Sequence, residues 1–289
     1  MEALDSLEIT VLAEDSVLYE SPFLGQHGVS FLLEAKRGNI KRNFLVDVGQ
    51  NSDALLKNME AMGISASIID GIILTHCHYD HTQGLTNVIK AIGRDNLPII
   101  GHPGIFRLNF VVSPYLRHVG VMAGDRKNNI EDAGGMLFFT KTPLELMPGL
   151  TTTGEVERVT DFEEVGINLK TIEDEVIKDD PMLDDISVIA NVKGKGLVVI
   201  TGCSHAGIVN IVKHSIKLTG INKIEGIIGG FHLIEASDER IKKTVEELSK
   251  IDINWISAGH CTGFRAQVEL YLKFSNKFKP LHTGMKFII

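Results

Sequence analysis

The chain has 289 residues, 44% apolar and 23% charged, with a formal net charge of −8. That length suits one large α/β unit with a substantial buried core. The acidic balance and dispersed Lys and Arg leave no global pull toward nucleic acid.

The opening reads as strands at Leu7–Ala13, Val29–Ala35 and Asn43–Val48, the last two joined by a hairpin loop over Lys36–Arg42. Ser52 is the expected N-cap of a helix over Asp53–Met62, stopped by Gly63. A short buried strand, Asp70–Leu74, runs into THCHYDHTQG, and a helix is expected from Thr82 to Ile92. Leu97–Gly101 reads as a strand. From 102 to 180 the pattern weakens, with apolar patches at Met136–Thr140 and Glu145–Leu150. Long irregular stretches in compact folds are usually functional, so this one is expected to be an insertion or lid within a single 1–289 domain.

Order returns with strands at Ile186–Val192 and Gly196–Thr201, joined by Lys193-Gly194-Lys195. A helix starting at Ser204 should run to about Leu218. Strand Gly226–Gly229, helix Asp238–Lys250, strand Asn254–Ala258 and helix Gly263–Phe274 follow, with an edge strand in His282–Ile289. The alternation suggests two sheets in the middle with helices outside, an αββα sandwich.

Three cysteines, Cys77, Cys203 and Cys261, cannot all pair within one chain, and each lies close to a histidine. That arrangement points to a metal site in a reducing compartment. The N-terminus lacks the basic and apolar regions of a signal peptide, and no apolar run nears the ~20 residues of a membrane span. A cytoplasmic location without membrane contact is expected.

His76, His78, Asp80 and His81 fall within six residues, between a buried strand and a helix start. Imidazole nitrogen and carboxylate oxygen suit zinc, and also iron or manganese. His76 and His78, two apart, face the same way in extended backbone. Asp80 and His81 diverge, serving a second ion or a base beside the first. Of the other histidines, His102, His118, His214 and His282 have no such context and read as surface or packing residues.

Residues 76–81 resemble the metallo-β-lactamase superfamily, whose hallmark is His-x-His-x-Asp-His after a short strand. Phe44–Gly49 resembles the family's early strand ending in Asp-x-Gly, which implies that Asp47 buttresses the metal loop. Trp255–Gly263 resembles the strand end carrying the last ligand, and so implies His260. Gly202–Gly207 resembles the strand ending in Gly-Asp or Gly-Cys. Cys203 falls on its bridging position, and His205 is the further ligand favoured there. The family's usual middle His has no counterpart near Leu183–Ser187, so Asp184, Asp185 or His205 is left to replace it. His232 lies at another strand end, with a metal, pocket or packing role open. Gly-Cys-Ser-His-Ala-Gly, Gly-Gly-Phe-His-Leu and Gly-His-Cys-Thr-Gly together resemble a branch that includes 7,8-dihydropterin-6-methyl-4-(β-D-ribofuranosyl)aminobenzene-5′-phosphate synthases.

The resemblance implies a metal-dependent hydrolase with one or two ions. His76, His78 and His260 are expected to hold the first, and Asp80, His81 and His205 to serve the second. Asp80 is the expected catalytic residue, orienting water and accepting its proton. A phosphate ester or phosphodiester is the expected substrate, a small phosphorylated molecule the expected partner, and Arg265 a candidate anion contact. The pterin-linked transferase and a non-catalytic sensor are the alternatives.

Overall fold

Alternation along the strands decides the layers, because successive side chains point to opposite faces. Phe31, Leu33 and Ala35 join a buried cluster with Val46, Ile73, Ile100, Val188, Ala190 and Ile200. Their chain neighbours Leu32, Leu45, Ile72 and Ile99 join a second cluster, with Leu55 and Met59 of the helix Ser52–Ala61 and Leu85, Val88 and Ile89 of the helix Leu85–Ile92. Ile189, Leu197 and Ile227 join a third, with side chains of the helices Ile208–Thr219, Asp238–Ser249 and Phe264–Phe274. Strands covered on both faces read as continuous apolar runs, as these do.

The computed structural model describes residues 1–166 and 168–289. One seven-stranded sheet has the order 286–288, 6–13, 30–37, 40–46, 71–73, 97–101, 135–139. The other, also seven-stranded, runs 278–280, 253–259, 224–230, 196–200, 188–192, 150–152, 145–147. Each has an antiparallel hairpin at its centre and parallel pairs beyond it. The sheets pack on each other with helices outside, which is the αββα sandwich.

Several local expectations shift. The N-cap of the first helix is Asn51, whose side chain accepts from the Ala54 N–H; Ser52 is already helical. The Thr82–Ile92 helix is two pieces, Tyr79–Thr82 and Leu85–Ile92, broken at Gly84 with φ +90°. A Cβ at Gly84 would lie 2.8 Å from that of Ser52, so glycine is needed both for the conformation and for the close approach. The helix expected from Ser204 starts at Ile208. Glu163 accepts from the N–H groups of Val209 and Asn210 at 2.9 and 2.8 Å, capping it with a residue distant in sequence.

The stretch 102–180 divides between three sheets. Gly135–Phe139 is the edge strand beside Leu97–Gly101, and Glu145–Met147 and Leu150–Thr152 extend the other main sheet. A small four-stranded sheet is made of 176–179, 170–173, 110–111 and 117–118.

Candidate metal centre

The strand ends assemble the site. His76 follows Gly71–Ile73, Cys203 and His205 follow Gly196–Ile200, His232 follows Ile224–Gly230 and His260 follows Ile253–Gly259. In all four cases the chain leaves the carboxyl end of a strand that is parallel to a neighbour, where open α/β sheets form crevices. Asp47, Ser204, His232 and His260 have φ of +56°, +64°, +45° and +49°. Left-handed backbone at four non-glycine residues of one site is strain held by the surrounding fold.

Two donor groups lie side by side. His76, His78 and His205 each place a ring nitrogen within 4.8 Å of the others. Asp80, His81, Cys203 and His260 do the same, and Cys203 also groups with His205 and His232. The expected partition is therefore corrected. His205 completes the group of His76 and His78, while His260 joins Asp80 and His81. His205 follows left-handed Ser204, whose Oγ donates to the Gly230 carbonyl at 2.6 Å and ties down the turn after Gly196–Ile200.

Outer partners fix which nitrogen each ring presents. Asp47 accepts from the Thr75 N–H at 2.8 Å and the Thr75 hydroxyl at 2.6 Å, and it binds His81 Nδ1 at 2.7 Å. That leaves His81 Nε2 facing Cys203 Sγ at 3.1 Å. His78 Nε2 meets Asn109 Oδ1 at 3.1 Å, which turns its Nδ1 toward His205 Nε2 at 3.2 Å. Asn109 in turn donates to Asp180 at 2.7 Å. Such partners orient metal ligands and select the tautomer. His260 Nδ1 binds Asp15 at 2.6 Å, leaving Nε2 3.1 Å from Asp80.

Burial pushes His78 down to about 4, although the Asp80 charge pulls the other way. It drives His76 and His205 well below the ordinary imidazole range, and neighbouring histidines push in the same direction. Burial also opposes the charged form of His81, but Asp80 and Asp47 outweigh it and hold the ring at about 9. For Asp80, burial is outweighed by His81 and His260, which keep the carboxyl well below the usual range. The fit to a divalent cation is good. Lone pairs converge, and His76 Nε2 and His205 Nδ1 are buried without a hydrogen-bond partner among the described residues.

Asp184 is corrected as a possible ligand. It accepts from the Cys77 N–H at 2.8 Å and pairs with Arg107 at 2.8 Å, so it braces the metal loop from outside. Asp185 likewise accepts from the Ala206 N–H at 2.7 Å. Arg265 is spent on Asp238 and the Ala236 carbonyl. Sequence reasoning missed His27, Asp15, Asn109 and Arg107. Gly28, next to His27, has φ +101°, and a Cβ there would collide with the Asp80 carbonyl, an approach that only the fold reveals.

The sequence pattern described as the metallo-beta-lactamase superfamily matches residues 25–165. A 7,8-dihydropterin-6-methyl-4-(β-D-ribofuranosyl)-aminobenzene-5′-phosphate synthase of Methanocaldococcus jannaschii is 41% identical over 284 residues, covering 97% of this chain and 96% of that protein. The chain belongs to the metallo-beta-lactamase superfamily. An uncharacterized protein of the same organism is 33% identical over 270 residues, covering 93% of this chain and 96% of its own. A solved structure described as a metal-dependent hydrolase of the beta-lactamase superfamily shares the fold, with TM-score 0.80 and 24% identity over 97% of this chain and 98% of that one. The superfamily fold implies divalent metal binding, and the two donor groups are candidates to hold the ion. No helix among the described residues is long and apolar enough to cross a membrane.

Proposed function

We propose that this chain is a metal-dependent synthase that joins a dihydropterin to a ribofuranosylaminobenzene phosphate. The observation that carries this reading is similarity along nearly the whole chain, 97% of it, to the synthase of that name. Identity restricted to the His-x-His-x-Asp-His region would support only a shared metal site.

His76, His78 and His205 would hold one ion and Asp80, His81, Cys203 and His260 a second. Zinc suits this donor set, and iron or manganese is compatible with it. Divalent ions there would supply Lewis-acid polarisation of a phosphoryl oxygen and bring the pKa of a water near neutrality. Asp47 and Asn109 hold the rings of His81 and His78 so that the correct nitrogen is presented. Asp80 lines a cavity of about 240 Å³ beside His27 and His260. As an ionised carboxylate in that cavity it would take the proton from the arylamine nitrogen as that nitrogen displaces the phosphate group from the pterin's 6-methylene carbon, the C–N bond forming as the C–O bond breaks and the phosphate leaving as the anion.

A second reading is hydrolysis of a phosphate ester or phosphodiester. It is favoured by the same Asp80, which would accept the proton from water instead. A small phosphorylated molecule is the substrate in either case.

The test is product analysis by mass spectrometry. The metal-reconstituted protein is given a dihydropterin with a phosphorylated 6-hydroxymethyl group and 4-(β-D-ribofuranosyl)aminobenzene 5′-phosphate. A coupled product requiring both substrates and lost on chelation is expected. Phosphate release from the pterin without coupling would replace the synthase reading with the hydrolase. Turnover undiminished by chelation would remove both.

A further inference from the structure

We propose that the cavity beside the metal groups contains a recognition site for an aromatic phosphate, with Arg117 taking the anionic end and His232 hydrogen-bonding the body of the ligand. This deepens the functional reading above, and rests on it only in treating this cavity as the substrate site.

The walls of the cavity differ in chemistry. The metal loop contributes His78, Tyr79 and Asp80, and the rim contributes Asp15 and His27. The small sheet and its flanking segments contribute Val111, Arg117, Val119 and Leu169. Among the described lining residues Arg117 is the only Lys or Arg, set among the carboxylates Asp15, Asp80 and Glu235. It stands exposed on the short strand Arg117–His118, with no ion-pair partner among the described residues. Arg107 and Arg265, by contrast, are occupied by Asp180 and Asp238. A free guanidinium at a cavity wall presents a fork suited to two phosphate oxygens. Beside it, Val111, Val119 and Leu169 are buried apolar side chains that give a flat ring a dry surface.

His232 is an independent pointer to a ligand. It lines the same cavity, is only 7% exposed, and neither ring nitrogen has a hydrogen-bond partner among the described residues. Its backbone is left-handed at φ +45°. A buried imidazole with two unmet nitrogens in a strained conformation is costly unless something fills the cavity and bonds to it. Its ring packs 4.1 Å from that of His205, so a ligand bonded to His232 lies against the first donor group.

The test is calorimetric binding of phenyl phosphate and of inorganic phosphate to the metal-loaded protein, with metal content measured for each variant. The wild type should bind phenyl phosphate more tightly than inorganic phosphate. Arg117→Ala should weaken both by about tenfold or more, and Arg117→Lys should restore much of that loss. His232→Ala should weaken phenyl phosphate binding while metal content stays at the wild-type level. Unchanged affinity in Arg117→Ala would overturn the proposal, because the phosphate would then sit on the metal ions alone. Loss of metal in His232→Ala would overturn it too, making His232 a ligand. A protein that passes these tests but couples no pterin keeps the recognition site and loses the synthase reading. One that couples pterin but binds phenyl phosphate without Arg117 does the reverse.

Discussion

The group of His76, His78 and His205 and the group of Asp80, His81, Cys203 and His260 are neighbours, yet their surroundings push them in opposite directions. Burial among other imidazoles disfavours protons on the first three rings. In the second group burial is overcome by nearby negative charge, Asp80 and Asp47 at His81 and Cys261 with Asp15 and Asp80 at His260, which holds both rings toward the protonated form. The first group is thus ready to accept a cation near neutrality, whereas the second must release protons to do so. Burial alone does not make a metal site. The charges set around each ring decide whether its lone pair is free.

The strongest way to break this comparison is to remove a ligand. His78→Ala takes one of three donors from the neutral group. It should cut turnover by at least about 100-fold and lower metal per chain, measured by elemental analysis. Full metal content with full turnover in this variant would dismiss the assignment.

Asp47→Ala tests the acidic group without touching a ligand. It removes the partner of His81 Nδ1 and of two Thr75 donors. Affinity for the more weakly held ion should fall by about 10- to 100-fold in a chelator competition, with the first ion retained. Equal loss of both ions would show that the groups are not separable.

Asn109→Ala should have a smaller effect, in the lower part of that range, and confined to the first ion. Asn109→Asp should not rescue it fully, since a carboxylate still accepts from His78 Nε2 but cannot donate to Asp180 and is repelled by it. An Asn109→Ala protein with unchanged metal affinity would mean that packing alone orients His78.

The gentlest probe is the melting temperature of the metal-free protein against pH. His78 is lowered to about 4 from an ordinary 6.5, so the unfolded chain takes up its proton first and stability falls as pH drops from 6.5 toward 4. His81 is raised from 6.5 to about 9, so its contribution is complete below 6.5 and is lost as pH rises through 9. Stability should therefore peak in between. A melting temperature that is flat across both windows would contradict the opposite shifts.

The ligand loop was legible because His76–His81 sit together in sequence behind an apolar strand, so local spacing already concentrates donors. Alternation puts Leu32 on the face opposite Phe31 and Leu33, but because both faces are apolar and buried, periodicity alone did not separate the sandwich from other α/β layouts; the resemblance of residues 76–81 did. The candidate ligands His205 and His260 were found as residues but not in their groups. Which donor meets which depends on how two sheets stack and on left-handed Ser204, and neither is written in local pattern. The bracing residues were harder still. Asn109, Arg107 and Asp180 lie in a stretch with weak periodicity, and an Asn or Arg becomes a partner of the metal loop only once the small sheet folds over it. By itself, then, the sequence determined most of the strands and helices and the inventory of donors, because periodicity and ligand chemistry are properties of short segments, and it reached the layered fold through the motif at 76–81. The tertiary structure alone decided the pairing of donors, their proton states and the cavity wall, because these depend on burial and on charges brought together from distant parts of the chain.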